Sequence, residues 1–455
     1  MNIIVVGAGK VGYTVAERLS REESNNVMVI EEDPIAADKV GKSLNITLYN
    51  DTGSNPRVLR EAIKIHNPDV IISTVTRDED NLFICMIAKS IKPDLKTVAR
   101  IRDRDYIPFD DDEESIADKL VDEVFSPEII CAETIAMLAC LENAIDYDEI
   151  KSIGMSMATF HVSRQNVNII GKTIIGLPDM PEDISVIAIY RGDEIHTEVE
   201  TFELHLGDKI CILGSEEGII RFNKLMGVDR EANEFVILGA TAIGVDTAIC
   251  LEQKGKRNIR IIETDPEKCT NTLRNLDYTR IMNGNIVDPH LLANENIGRA
   301  DVLMVLGPTD EINLLASLMG RNYGARKIIS EYSIPDYESI FDFAGIQCSI
   351  GYHRIIANDI TKKLISDEEA LLAMRYDNEL FFSLTINEKS TVTGKRIGDV
   401  KLPAGCRIAY VVRDGKNEVP RMDTEFKVDD KILMFTYMTK LDKIQKMFRA
   451  TISAV

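Results

Sequence analysis

Gly239, Gly244, Glu263, Asp265 and Pro266 each stand 232 positions after Gly7, Gly12, Glu31, Asp33 and Pro34 (for example 239 − 7). Asp301, Asp310, Glu311 and Asn313 keep the same distance from Asp69, Asp78, Glu79 and Asn81. One register held over so many residues is an internal duplication, so whatever the first half folds into must be built twice.

That first half opens on Ile3, Ile4, Val5 and Val6, a short apolar run that ends at Gly7, with Gly9 and Gly12 ahead of the helical pattern Val15, Ala16, Leu19. A G-x-G-x-x-G between a buried strand and an amphipathic helix is a dinucleotide-binding fingerprint. Gly7 makes the turn, Gly9 lets backbone approach a pyrophosphate, and Gly12 lets the helix lie against the strand. The helix N-terminus then faces the ligand's charge. A second apolar run, Val27 to Ile30, ends at Glu31, where such a fold places the carboxylate that holds the adenosine ribose. A carboxylate there repels a 2′-phosphate, so the expected ligand is NAD(H) or an adenine nucleotide rather than NADP.

Alternation continues through a helix from about Pro34, a strand near Ile46 to Tyr49 and the turn Asp51, Thr52, Gly53, Ser54. A helix through Val58, Leu59 and Ala62, the buried run Val70 to Val75, a helix over Leu82 to Ala88 and a strand from Thr97 to Ile101 follow. This spacing predicts α/β architecture with a doubly wound parallel sheet. Ligands of such sheets bind at the carboxyl ends of the strands. Gathered there are Gly7 to Gly12, Glu31, Asp51, Thr52, Thr74 to Thr76 and Arg100.

From Pro127 to about Ile145 runs a helix with almost no polar side, to be covered either as a core helix or by exchange between subunits. Residues from about 150 to 225 read as a small α+β module, with strands at Ala158 to Val162, Val186 to Tyr190 and Lys209 to Leu213, the turn Arg191, Gly192, Asp193, and a helix near Gly218 to Leu225. This module also recurs: Gly171 and Lys172 as Gly394 and Lys395, Arg191 as Arg413, Asp208 as Asp430. Two Rossmann-like lobes, each followed by a small α+β lobe, are therefore expected. The divisions are 1–126, a crossover helix 127–149, 150–228, 233–352, a connecting helix 353–376, and 377–455.

The two nucleotide positions are not equal copies. The second comprises Gly239, Ala240, Thr241, Ala242, Ile243, Gly244 and Glu263, with Thr241 standing where the first has Gly9 and Glu331 standing for Arg100. A side chain crowds the pyrophosphate and a carboxylate repels phosphate. The first site is expected to bind much better.

Composition removes several other classes. Across 455 residues the formal net charge is −21, which opposes a protein that neutralises nucleic-acid phosphates. No apolar run approaches the roughly 18 to 20 residues of a membrane span, and the chain enters its first strand at once, so a cytoplasmic location is expected. The eight cysteines show no C-x-x-C and the six histidines no H-E-x-x-H, reading as reduced core and structural residues without a metal. The acidic run Asp110 to Glu114 reads as a solvated loop.

The tandem order, with G-A-G-K-V-G at 7–12, the run Gly53 to Ala62 and the segment Ala99, Arg100, Ile101, Arg102, resembles the TrkA family across essentially the whole chain. These are peripheral, cytosolic regulatory subunits of Trk-type potassium uptake, built of two RCK (KTN) domains. The resemblance implies binding of NAD(H) and, in some members, ATP or ADP. It also implies self-assembly as a dimer or tetramer, and gating of a Trk-type membrane potassium-transporting subunit at the inner face of the cell membrane. The family's first site carries onto Gly7, Ala8, Gly9, Lys10, Val11, Glu31, Val75, Thr76 and Arg100, and its second onto Gly239 to Ile243 and Glu263. The G-D pair that many relatives carry after the third strand reads Asp51, Thr52 here, and Gly284, Asn285 in the second half.

The alternative is an NAD-dependent oxidoreductase acting on a small carbonyl substrate. Such an enzyme needs a substrate domain and an acid/base group at the nicotinamide. The small module offers His161, His196 and His205 without a partnering motif. Gly171, Lys172, Thr173 and Gly41, Lys42, Ser43 both miss the earlier glycine of a Walker A loop, at Asn166 and Ala36. A non-enzymatic regulator is the expected function.

Overall fold

The computed structural model describes the chain apart from Glu23, Asp193, Gln347 and residues 108–114, 151–152, 228–230, 365–370, 374–378 and 450–455. The acidic run 110–114, Asp193 of the turn and part of the expected connecting helix lie outside the described residues.

The first Rossmann lobe comprises β1 (Asn2–Val6), α1 (Lys10–Ser20), β2 (Asn26–Ile30), α2 (Pro34–Ser43), β3 (Thr47–Tyr49) and α3 (Pro56–His66). It continues with β4 (Val70–Ser73), α4 (Asp78–Ile91), β5 (Lys96–Arg100) and β6 (Glu123–Phe125). All pairings are parallel, in the order β3-β2-β1-β4-β5-β6. This is the dinucleotide-binding order, with its switch point between β1 and β4. Strands β1, β2 and β4 carry runs of buried residues because helices cover both faces. Asp33 and Asn55 cap the helices that Pro34 and Pro56 begin, accepting from the Ile35 and Arg57 amides at 3.0 Å.

Then follow α5 (Pro127–Cys140), β7 (Ala144–Ile150), β8 (Met155–His161), β9 (Ile184–Arg191), β10 (Glu194–His196), β11 (Lys209–Gly214) and α6 (Glu216–Leu225). The helix ends sooner than its apolar pattern suggests: the Asn143 amide is drawn off to the Asn223 side chain at 3.1 Å, and the chain turns into β7. The second Rossmann lobe repeats the first, with β12 (Phe235–Leu238), α7 (Ala242–Gln253), β13 (Ile259–Glu263), α8 (Pro266–Thr272), β14 (Arg280–Asn283) and α9 (Pro289–Asn294). It closes with β15 (Val302–Val305), α10 (Asp310–Tyr323), β16 (Lys327–Tyr332), α11 (Tyr337–Phe343) and β17 (Cys348–Gly351). Its order, β14-β13-β12-β15-β16-β17, is that of the first sheet.

Helix α12 (Tyr352–Leu364) follows, then β18 (Leu371–Ala373), β19 (Glu379–Thr385), β20 (Arg407–Arg413), β21 (Lys416–Glu418), β22 (Lys431–Tyr437) and α13 (Leu441–Phe448). Residues 371–373 are thus strand, where a helix to 376 was expected. The small lobes form antiparallel sheets, β10-β9-β11-β8-β7 and β18-β19-β22-β20-β21. Each also closes with the same clasp: Arg191 grips the buried Asp208 through two hydrogen bonds of 2.8 Å, and Arg413 grips Asp430 at 2.8 and 2.7 Å.

Two compact units emerge, and they do not follow the order of the lobes. One is Met1–Ile130 with Tyr352–Leu364; the other is Cys131–Gly351 with Ile365–Ala454. In the first unit α12, contributed by the second half, packs on α1 and β6. In the second unit the two small sheets share one core, in which Ile187, Tyr190 and Leu213 meet Phe381, Tyr410 and Phe435. The alternation along β19 and β22 explains this: Phe381, Leu433 and Phe435 face the shared core, while Phe382, Ile432 and Met434 face the second lobe's own core.

Burial also answers the question posed by α5. Ala132, Ile135, Ala136 and Leu138 are fully buried within a single chain, so this helix does not by itself require a second copy.

Candidate functional site

The end of β1 and the start of α1 set the first site. Gly7 has φ +92°, and a Cβ there would press on Thr74 and Val75 at 3.2 Å. Gly12 is tighter still, since a Cβ would fall 1.9 Å from the Gly7 carbonyl oxygen. Gly9 differs from both, with nothing within 4 Å of a Cβ and an ordinary φ of −60°. Its absent side chain leaves open space rather than relieving a clash, and no side chain caps the α1 N-terminus. The first-turn amides are therefore available to an anion.

Glu31 lies beside this turn. Its carboxylate accepts from the Ala8 amide and, at 2.8 Å, from the Asp33 amide. The Asn50 side chain donates to the Glu31 carbonyl at 2.7 Å, and the loop after β3 approaches β1 so closely that a Cβ on Gly53 would meet Val6 at 2.1 Å. Asp51 and Thr52 are thereby set at the end of the same sheet edge, Thr52 donating its amide to the Asp51 carboxylate at 2.8 Å. From β4, the Thr74 hydroxyl reaches the carbonyls of Val6 and Gly7 at 3.0 and 3.1 Å. Lys10, Val11 and Gly12 begin the helix, with Val11 buried beneath it.

Asn81 is a residue the sequence reading did not place in the site. Its side chain accepts from the Val75 amide at 2.8 Å and donates to the Arg100 carbonyl at 2.9 Å, so it ties the ends of β4 and β5 together. Asn313 repeats the clasp on Gly307 and Glu331 at 2.7 and 2.9 Å. The duplicated register was the available signal for this role.

Arg100 is present at the site but engaged. Its guanidinium pairs with Glu128, and both side chains are largely buried. Burial works against the cation, yet the Glu128 charge and hydrogen bond, with Tyr352 and Asp78 adding, hold Arg100 above the ordinary guanidinium value. Arg102 is likewise tied, to Asp78 at 3.3 Å and to the Thr76 carbonyl. Tyr352, the first residue of α12, places its ring centroid 5.3 Å from the Lys10 ammonium. Neither Glu128 nor Tyr352 carries a sequence motif that would mark it.

In the second site Gly239 repeats the turn with φ +109°, and Glu263 accepts from the amides of Ala240 and Asp265 at 2.7 and 2.8 Å. Gly244 repeats the close approach, 2.2 Å from Cβ to the Gly239 oxygen, and Ile243 is buried. Thr241 changes the chemistry. Its hydroxyl accepts from the Gly244 amide at 3.2 Å and donates to the Leu306 carbonyl at 3.0 Å, so the protein itself caps the helix that Ala242 begins. Glu331 is buried at the end of β16 and accepts from the Ser333 hydroxyl at 2.8 Å.

Comparison with known proteins follows the same division of the chain. The TrkA-N domain model matches residues 3–127 and 235–351, more than half of the chain. The chain belongs to the TrkA family. The TrkA-C domain model matches residues 381–449. Among curated TrkA relatives, the Trk system potassium uptake protein TrkA homolog 1 of Methanosarcina mazei is 27% identical over 457 residues, 99% of this chain and 100% of that one. The TrkA homolog of Archaeoglobus fulgidus is 27% identical over 451 residues, with the same coverage. Among solved structures, the GsuK RCK domain aligns at TM-score 0.65 and 16% identity, over 98% of this chain and 94% of that one. The GsuK channel bound to NAD aligns at 0.64 and 15%, over 98% and 78%. At these identities the likeness shows a shared fold.

Proposed function

We propose that this protein is a cytosolic, nucleotide-sensing regulatory subunit that gates a Trk-type membrane potassium transporter, held at the inner face of the membrane through that partner. The observation that carries the reading is the difference between the two glycine turns: an uncapped α1 N-terminus beside Glu31 in the first, a Thr241 cap in the second. One open and one closed copy suit a sensor with a single working site per chain.

Gly7 to Gly12 would cradle the pyrophosphate through backbone amides, and Glu31 would take the ribose hydroxyls. Asp51, Thr52, Thr74, Val75 and Thr76 would line the cleft, with Arg100 near the phosphates. NAD(H) is the proposed ligand, with ATP or ADP able to compete; a GsuK channel bound to NAD supports this, as does the full-length likeness to potassium uptake proteins. The paired state of Arg100 implies that additional phosphate charge must compete with Glu128. Among the described residues no helix is long and apolar enough to cross a membrane.

Ligand shifts such a subunit only through unequal affinity for its conformations. The test is potassium flux through the cognate membrane subunit with and without this protein and with NADH, NAD, ATP or ADP. Nucleotide-dependent flux supports the proposal. Steady NADH consumption with a small carbonyl substrate and no effect on flux would return the oxidoreductase reading.

A further inference from the structure

Inside the second unit, a cavity of about 330 Å³ opens where the C-terminal end of α5 meets α6, the end of α7 and the start of β16. Met137, Leu141, Ile220 and Val302 supply an apolar wall. Lys224, Lys254, Lys256, Arg326 and Lys327 stand around it against Glu142, Glu216, Glu231 and Asp301. The five cations outnumber the four carboxylates by one.

The cations are not equivalent. Lys327 spends its three donors on three carbonyls, those of Leu138, Leu141 and Ala144. Arg326 lies between Glu142 at 3.6 Å and Asp301 at 3.7 Å, so its planar fork is held by carboxylates. Lys254 stands 3.9 Å from Glu216. Lys224 and Lys256 remain at the rim, the latter 5.8 Å from the Phe235 ring centroid. Two ammonium groups act as mobile point charges and suit a tetrahedral dianion better than the bidentate geometry a carboxylate prefers.

We propose that this cavity binds a small phosphate monoester with an apolar body, the phosphate meeting Lys224 and Lys256 and the body resting on the Met137, Leu141 and Ile220 wall. The site is separate from both glycine turns and does not depend on nucleotide binding there. Cys140, the last residue of α5, stands in the cavity wall.

Calorimetry on the full chain with phenyl phosphate, benzoate and inorganic phosphate tests the proposal. Phenyl phosphate should bind saturably at least tenfold more tightly than either of the others, because it alone offers both the dianion and the apolar body. The double variant K224Q/K256Q should lose at least tenfold for phenyl phosphate, whereas Glu31→Ala should bind it as the parent does. Among the described residues Cys140 is the only half-buried cysteine, so protection of Cys140 from alkylation should track occupancy. No saturable binding of phenyl phosphate up to 10 mM, equal binding of benzoate, or unchanged affinity in the double variant would each overturn the site.

Discussion

The Lys327 ammonium donates to the Ala144 carbonyl at 2.6 Å, and to those of Leu138 and Leu141 at 2.7 Å. Its counterpart at the start of β5, Lys96, donates to the Lys363 carbonyl at the end of α12, also at 2.6 Å. Each Rossmann lobe thus uses the first lysine of its fifth strand to hold the C-terminal end of the helix contributed by the other half. The cation also answers the negative end of the helix dipole.

The two lysines should differ in weight. Lys327 is half-buried and holds three carbonyls, so Lys327→Met should cost roughly 2 to 5 kcal/mol. Lys96 is about a third exposed and holds one carbonyl, so Lys96→Met should cost about 0.5 to 1.5 kcal/mol. Thermal transition midpoints of the two variants decide this. Equal shifts would contradict it.

Gly9 and Gly12 should part company under substitution. Gly12→Ala forces a Cβ to 1.9 Å from the Gly7 oxygen and should destabilise the lobe by about 1 to 3 kcal/mol or more. Gly9→Thr meets open space and copies Thr241, so the fold should keep its transition midpoint while NADH affinity falls tenfold or more, about 1.4 kcal/mol. Calorimetry beside a melting curve separates the two effects. A Gly9→Thr protein that binds NADH like the parent would remove this turn from the site.

Glu31→Ala should weaken NADH by about 1 to 3 kcal/mol through loss of a charge-assisted hydrogen bond. Glu31→Gln removes the charge that opposes a 2′-phosphate and should narrow the preference for NADH over NADPH. Unchanged discrimination in the Gln variant would assign that preference to another group.

Glu379 sits 1% exposed where the two small lobes share a core, accepting from the Tyr190 hydroxyl at 3.0 Å, with Tyr437 and Cys211 close enough to feel its charge. Burial pushes its carboxyl from 4.5 up to about 7, the Tyr190 hydrogen bond pulling the other way. The folded state therefore holds this proton more tightly than the unfolded chain. Its contribution is full at low pH and is lost between the ordinary value and about 7, by roughly 3 kcal/mol. Glu379→Gln should be more stable than the parent at pH 8 and should flatten the difference in midpoint between pH 5 and pH 8. The same slope in both proteins would place the pH dependence elsewhere.

The apolar runs at Ile3 to Val6 and Val27 to Ile30, the helix signals at Asp33-Pro34 and Asn55-Pro56, and the constant step between halves were enough to establish two α/β lobes and the order of their elements. They suffice because strand and helix periodicity, capping and turn chemistry act within a few residues of one another. Strands β6, β7 and β10 were missed: β6 and β10 have three residues each, and β7 begins inside the stretch that the apolar helix pattern claimed. Which helix covers which sheet was decided only in three dimensions. Arg100 meets Glu128, Lys10 meets Tyr352 and Lys96 meets Lys363 across separations that no local pattern encodes. The sequence determined that the lobe is built twice; tertiary packing decided that each copy borrows its covering helix from the other, because a buried apolar helix is satisfied by any face that excludes water and completes its terminal hydrogen bonds.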